Sequence, residues 1–371
     1  MENNEVTIIG GGLAGLTAAI HLSKIGINVT IFEKNTYPKH KVCGEYISNE
    51  VLKYLKSLDI DIELIHPTKI SNLQFSTIDG KLIETRLPLG GFGLSRYILD
   101  EFLYKIAIAN GCKFIFENVD NIEFKYDEFT ISAVDNIIRS KIVIGAYGKR
   151  SNIDQKLDRK FVKIRSNWLA VKAHYLGDFN SSLVGLHNFD GGYCGVSNVE
   201  NNIINICYLS DYDTFKKYKN IDDYQKEVLC QNPFLKNIFN NSKILFDKPL
   251  TISQISFEKK SAVEDHVIMI GDTAGLIHPL CGNGMAMAIH SAKIAAELIE
   301  KFCKNEIKSR AELEKKFQKQ WDFNFKQRLK TGRLLSKILQ KPKLSAILMR
   351  LLVLFPFIFH LIIKKTHGKP I

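Results

Sequence analysis

The sequence predicts an α/β protein: a parallel-sheet domain built of strand–helix–strand units, a mixed β-sheet domain inserted into it, and a C-terminal helical tail. Three observations carry the prediction. Val6-Thr-Ile-Ile9 runs straight into Gly10-x-Gly12-x-x-Gly15, and a second apolar strand, Val29 to Phe32, ends at Glu33. Far along the chain another apolar strand, Val267-Ile-Met-Ile270, leads into Gly271-Asp272 and a helix of small residues. Between them, residues 161–262 change to longer strands with one polar, lysine-rich helix near 222–229, a pattern of sheet rather than of βαβ repeats.

The opening unit reads as a dinucleotide cradle. Its first glycine permits the tight strand-to-helix turn, the second lets a pyrophosphate approach the backbone, and the third lets helix and strand pack closely. The helix over 13–24 carries Ala14, Ala18 and Ala19 for that packing, and Gly26 stands where a helix C-terminus favours glycine. Its N-terminus presents unpaired N–H groups to phosphates. Glu33, followed by Lys34, lies 18 residues beyond Gly15 at a strand end, where its carboxylate accepts both ribose hydroxyls and repels a 2'-phosphate. A glycine triplet alone is also an ordinary turn; the strand, helix and acid around it distinguish the two.

A loop over 35–48 precedes a helix over 49–57, and 71–86 alternates as a hairpin around Asp79-Gly80. Residues 97–110 form an amphipathic helix closed by Gly111. Strands follow at 113–116, 121–125, 130–134 and 141–144, the last ending in Gly145-Ala-Tyr147-Gly148-Lys149-Arg150-Ser151. Strands at 168–175 and 203–209 belong to the inserted domain, and a helix spans 284–302. The boundaries are thus 1–160 and 263–305 for the discontinuous domain, 161–262 with part of 60–95 for the insertion, and 306–371 for the tail.

A chain of 371 residues with 45% hydrophobic content buries a full core and has room for two domains. Its seven cysteines form no CxxC pair and it opens on a strand rather than a signal peptide, which sets the expectation of a reducing cytoplasm. None of the ten histidines falls in a HExxH spacing, so no metal site is expected. The net charge of +12 is not spread evenly: residues 301–371 hold 18 Lys or Arg against 4 Asp or Glu, and residues 1–300 hold 33 against 35. A near-neutral body argues against nucleic acid as a partner. The tail also contains an apolar run, 344–363, interrupted by Arg350, Pro356 and His360 and flanked by Lys341, Lys343, Lys364 and Lys365. A central arginine and a proline disfavour a membrane span. Two readings stay open: helices lying at the inner face of a membrane through 341–365, or helices covering the protein's own core or a lipophilic channel.

The second decisive stretch is Gly271-Asp272-Thr-Ala-Gly-Leu-Ile-His278-Pro279-Leu-Cys-Gly282-Asn283-Gly284-Met285. Asp272 stands at a strand end where a carboxylate binds a polyol, and Gly282 and Gly284 open a helix whose positive end stabilises negative charge. Here the chain resembles the flavoprotein superfamily of para-hydroxybenzoate hydroxylase, squalene epoxidase and the geranylgeranyl reductases, over roughly residues 5–300. The resemblance implies a Rossmann-like FAD-binding domain. Gly10, Gly12, Gly15, Glu33 and Lys34 would hold the ADP half, and Asp272 with Gly271 the ribityl chain. Arg96, in Leu94-Ser-Arg96-Tyr-x-x-Asp100, matches an arginine that reaches the cofactor, with Gly148 alongside. His278, Pro279 and the Gly282-Asn283-Gly284-Met285 turn would face the flavin ring. Pro38-x-x-Lys41-x-Cys43-Gly44-Glu45 resembles the Cys-Gly element of the geranylgeranyl reductases, making Cys43 and Gly44 site-lining candidates. Gly191-Gly192-Tyr193 resembles a substrate-facing turn, and equally a plain strand-to-strand turn.

The resemblance implies first a monooxygenase, in which reduced flavin captures oxygen as a C4a-hydroperoxyflavin and hydroxylates a lipophilic aromatic, quinone-like or polyketide substrate. The second reading is a reductase that saturates double bonds of a prenyl or lipid substrate. A third is a membrane-associated electron-transfer module with a redox partner. Tyr147 stands where many hydroxylases carry an aspartate that helps recruit NAD(P)H, so the reductant is NAD(P)H or another donor. Only Trp168 and Trp321 occur, which leaves out the Trp-x-Trp-x-Ile-Pro element of the flavin halogenases.

Overall fold

The computed structural model describes residues 3–371 apart from 219, 340, 342–343, 345–346, 349–350 and 353. Arg350 within the apolar run and Lys343 flanking it therefore lie outside the described residues.

Two mixed sheets organise the chain. The first runs in the order Val263–Glu264, Val267–Met269, Ile137–Gly145, Asn3–Ile9, Val29–Phe32 and Lys113–Ile115. The last five of these pair in parallel, while Val119–Lys125 and Glu128–Ala133 add an antiparallel hairpin to Ile137–Gly145. Val6, Ile8 and Ile144 are fully buried, as a parallel sheet covered on both faces requires. Helices Leu13–Lys24, Arg96–Ala109 and Gly284–Cys303 pack together over it.

The second sheet has nine strands. Its order is Ser242–Ile244, Trp168–Gly177, Ile204–Asp211, Gly192–Asn198, Leu183–Phe189, Thr68–Ser76, Leu82–Gly93 and Tyr46–Ser48, with Leu250–Ser253 also paired to Trp168–Gly177. The hairpin around Asp79-Gly80 thus belongs to this sheet, and Gly80 takes the left-handed φ of +82° that its turn needs. Six strands escape the sequence reading: Tyr46–Ser48, inside the segment read as a loop, Leu183–Phe189, Gly192–Asn198, Ser242–Ile244, Leu250–Ser253 and Val263–Glu264. Leu183–Phe189 and Gly192–Asn198 pair with each other as a hairpin, and Leu183–Phe189 is held on its other side by the distant Thr68–Ser76, a contact no local pattern reports.

The tail folds back on the body. Helix Arg310–Leu339 buries Phe317, Trp321 and Phe325 in the main core beside Gly284–Cys303. Pro356 does not kink a longer helix but begins one, Pro356–Thr366, since its missing N–H is unneeded in a first turn. No helix among the described residues is long and apolar enough to cross a membrane.

Candidate functional site

The glycine cradle has the geometry its spacing demands. A Cβ at Gly15 would stand 2.0 Å from the carbonyl oxygen of Gly10, and one at Gly10, whose φ is +108°, 2.4 Å from that of Ala146. Gly12 caps helix Leu13–Lys24 with no side-chain hydrogen bond, so the first-turn N–H groups stay open to an anion. Arg96 Nη2 and Lys41 Nζ lie 3.6 and 4.0 Å from where a Gly12 Cβ would be, adding two cations at that end. Glu33 is 8% exposed; its Oε2 accepts from Gly11 N at 2.9 Å and its Oε1 from Asn35 N at 3.0 Å. Glu33, the exposed Lys34, Gly10, Tyr147 and Arg150 line a cleft of about 420 Å³, its open side included.

The second half of the site is assembled from chain segments far apart. Gly148 N donates to Thr273 Oγ1 at 2.8 Å, and Gly271 N donates to Ser291 Oγ at 2.9 Å. Gly271 has φ +59°, and a Cβ there would press on Ala14 at 3.0 Å, so both glycine motifs meet where the two helices cross. The Asp272 backbone oxygen accepts from Lys260 Nζ, while its carboxylate has no hydrogen bond among the described residues. Burial lowers Lys260 to about 8. Arg159, buried against Asp154, donates to the oxygens of Thr273 and Ser261 and braces this turn. Helix Gly284–Cys303, like the first, begins with no side-chain cap.

These residues fit FAD. Two uncapped helix N-termini and two cations suit a pyrophosphate and an electron-rich ring, the cradle would be filled by any Cβ, and Glu33 and Asp272 supply carboxylates for hydroxyl groups.

Beside them lies an apolar cavity of about 1010 Å³, its mouth included, bounded by Gly44, Tyr46, Tyr193, Pro279, Leu280 and Gly282 among others. Tyr193, on strand Gly192–Asn198 just past the turn, faces it. Cys43 lies next to this wall, with Sγ 3.4 Å from Met285 Sδ. His278 does not reach the lining. It sits among Phe257, Tyr193 and Trp168, with ring centroids at 4.6, 5.8 and 5.9 Å. Burial pulls its pKa down to about 3, so it is neutral. Asn283 also departs from its expected role: its side chain is fully buried and donates to Thr366 O at 3.0 Å, toward the tail.

One cluster escaped the sequence reading. Glu45, fully buried at φ +54°, accepts from Lys172 Nζ, His174 Nε2 and Arg96 N at 2.7, 2.7 and 2.8 Å. Arg96 in turn forks onto Asp100, with two bonds of 2.7 Å, and Lys41 joins the same carboxylate at 3.0 Å. The cluster ties the Cys43 loop and the Arg96 helix to the second sheet. Its signal was present: Lys172 and His174 stand two apart in an otherwise apolar strand, on one face.

A family model described as an FAD binding domain matches residues 3–310. Conditioned medium factor receptor 1 of Dictyostelium discoideum is 24% identical over 356 residues, covering 86% of this chain and 68% of that protein. Digeranylgeranylglycerophospholipid reductase of Methanosarcina acetivorans is 26% identical over 339 residues, covering 85% and 80%. The solved structure of flavin-dependent brominase Bmp2 superposes with a TM-score of 0.75 at 19% identity, covering 95% of this chain and 93% of that one. This last likeness is one of fold.

Proposed function

The chain belongs to the FAD binding domain family, and from that premise we propose that this FAD-dependent oxidoreductase reduces a carbon–carbon double bond of a long, lipophilic substrate. The observation that carries the reading is the cavity, which runs from the turn at Pro279–Gly282 to the apolar walls of Leu73, Phe75 and Leu87. This lining is mostly hydrocarbon and suits a long chain held by shape. The Cys43-Gly44 element beside the cavity and the named activity of the archaeal relative point the same way.

Bound FAD supplies the hydride chemistry once reduced. The chain's own residues bind and exclude water: the cradle and Arg96 would hold the phosphates and Asp272 the polyol, and Tyr193 and Pro279 wall the space where the double bond would lie. Electrons come from NAD(P)H or from a redox partner.

The test incubates FAD-loaded protein with prenyl and quinone lipids and a reductant, NADPH, NADH or dithionite, and weighs the product. A gain of two hydrogens in the prenyl chain, read after any quinol has been reoxidised in air, supports the reductase reading. A gain of one oxygen overturns it in favour of a monooxygenase.

The same reading places the enzyme at a membrane surface. Leu351, Leu354, Phe355, Phe357 and Leu361 are 42–69% exposed on the tail, beside the exposed Lys364 and Lys365, an apolar face with a cationic rim. Replacing Leu354 and Phe357 together by glutamate is expected to abolish co-sedimentation with anionic vesicles while FAD stays bound; unchanged sedimentation refutes membrane contact through 341–365.

A further inference from the structure

The cavity passes along one face of strand Gly192–Asn198. Tyr193, Gly195 and Ser197, alternate residues of that strand, all stand on its wall, as the two-residue period of a strand requires. Part of the remaining wall comes from beyond the family match, from Leu348, Leu352, Ile362 and Ile363. Glu50 ties that tail down, accepting from Gly368 N at 2.6 Å and from Arg328 Nη1 at 3.2 Å.

In this hydrocarbon wall the Tyr193 hydroxyl is an exception. Tyr46 Oη reaches Gly90 O at 3.5 Å and Thr366 Oγ1 donates to Ile362 O at 3.1 Å, whereas the Tyr193 oxygen has no hydrogen bond among the described residues. Nor is it sealed in: the unpartnered polar atoms shut off from solvent include both nitrogens of the neighbouring His278 but not the Tyr193 oxygen. Ser197, the other free hydroxyl on this face, is 1% exposed against 7% for Tyr193. A tyrosine buried this far ordinarily finds a partner for its O–H. Burial first, then the surrounding thiols of Cys207, Cys281, Cys194 and Cys43, raise its pKa well above the ordinary 10. The hydroxyl therefore keeps its proton, and thiols accept it only weakly.

Gly195 leaves the approach to that hydroxyl open. It does not have a left-handed φ, and a Cβ there would meet Cys207 O at 3.5 Å and Leu186 Cδ2 at 3.8 Å, both ordinary contacts. Neither backbone angle nor crowding demands glycine, and a glycine inside a strand weakens it. What the missing side chain provides is room on the cavity side, about 7 Å along the strand from Tyr193.

We propose that the Tyr193 hydroxyl donates a hydrogen bond to a carbonyl oxygen of the ligand, so that the cavity selects a long-chain lipid carrying a ketone or quinone carbonyl over the plain hydrocarbon. The inference rests on the lipid-substrate reading above. A carbonyl only accepts, so one donor serves it, whereas an alcohol brought to the same place would leave its own proton facing hydrocarbon.

The experiment is equilibrium dialysis of FAD-loaded protein against radiolabelled farnesylacetone and the hydrocarbon in which a methylene replaces its carbonyl. Tyr193→Phe is expected to weaken the ketone roughly tenfold, about 1.4 kcal/mol, and to leave the hydrocarbon within about twofold, with FAD retained. In wild type the carbonyl stretch of the bound ketone is expected at lower frequency than in hexane, and in Tyr193→Phe at the hexane position. Gly195→Leu is expected to weaken both ligands alike by filling the cavity. An unshifted band in wild type, or a Tyr193→Phe variant that binds the ketone as tightly as wild type or weakens both ligands equally, overturns the hydrogen bond and leaves the lipid reading standing. If neither ligand binds wild type, or both bind Gly195→Leu undiminished, the lipid reading of this cavity falls and the inference with it. Should Tyr193→Phe fail to retain FAD, the wild-type band still decides whether the carbonyl is held by a donor.

Discussion

Replacing Glu45 by leucine is expected to cost about 3–5 kcal/mol of stability, the usual penalty for removing one partner of a buried ion pair. The variant strands the Lys172 ammonium, itself fully buried, and removes the acceptor for His174 and for the N–H that begins the Arg96 helix. The loss arises mainly from the uncompensated lysine, so pairing Glu45→Leu with Lys172→Met is expected to recover most of it. Denaturant unfolding of FAD-loaded protein measures both, and a single variant within about 1 kcal/mol of wild type refutes the ion-pair account. The pH dependence has a definite sign. Burial pushes the Glu45 carboxyl up, but the hydrogen bond from His174 and the charges of Lys172 and His174 outweigh it and hold it below its ordinary 4.5. A depressed carboxylate stabilises the fold fully above its unfolded value. The gap between wild type and Glu45→Leu is therefore full at neutral pH and narrows as the pH falls below 4.5.

Gly15→Ala is expected to weaken FAD retention. The added methyl would lie 2.0 Å from the Gly10 oxygen and 3.2 Å from the Ile8 side chain. The first of these is backbone, which moves only by lifting the helix off the strand. Overpacking of this kind costs about 1–3 kcal/mol or more, and here it falls on the turn that presents the N–H groups of residues 13–15 to the pyrophosphate. At tenfold per 1.4 kcal/mol, affinity should drop by roughly 10- to 100-fold or further. Bound-flavin absorbance after gel filtration reads the result, and full occupancy would remove this cradle from the cofactor site.

The legible parts of the molecule are those where a backbone feature admits few residue types. Gly10, Gly15 and Gly271 sit where a side chain would strike backbone or demand a left-handed φ, so their spacing alone announced two strand-to-helix turns. The Glu45 cluster was harder because its partners lie 127 and 129 residues away. Lys172 and His174 are conspicuous in an apolar strand, but nothing near them in sequence names Glu45 as their partner. The Cys43 loop shows the same limit: its resemblance was visible, but not that Tyr46–Ser48 leaves it as a strand bound to Leu82–Gly93.

By itself the sequence determined the class of protein: a parallel-sheet domain with two nucleotide turns, split by a sheet insertion, with basic charge confined to a tail. Local sterics suffice for that, because glycine placement and apolar period act over a few residues. What only the tertiary structure decided is the disposition of the tail and of the residues around the cavity. An apolar helix with lysines has the same pattern whether its buried face meets lipid or protein. The hydrogen bonds of Glu50 and Asn283 to residues 366–371 settle that one face walls the cavity, leaving the other exposed. Such a contact is set by chain closure over hundreds of residues, where the favourable energy is shared among many weak contacts and no single position in the sequence records it.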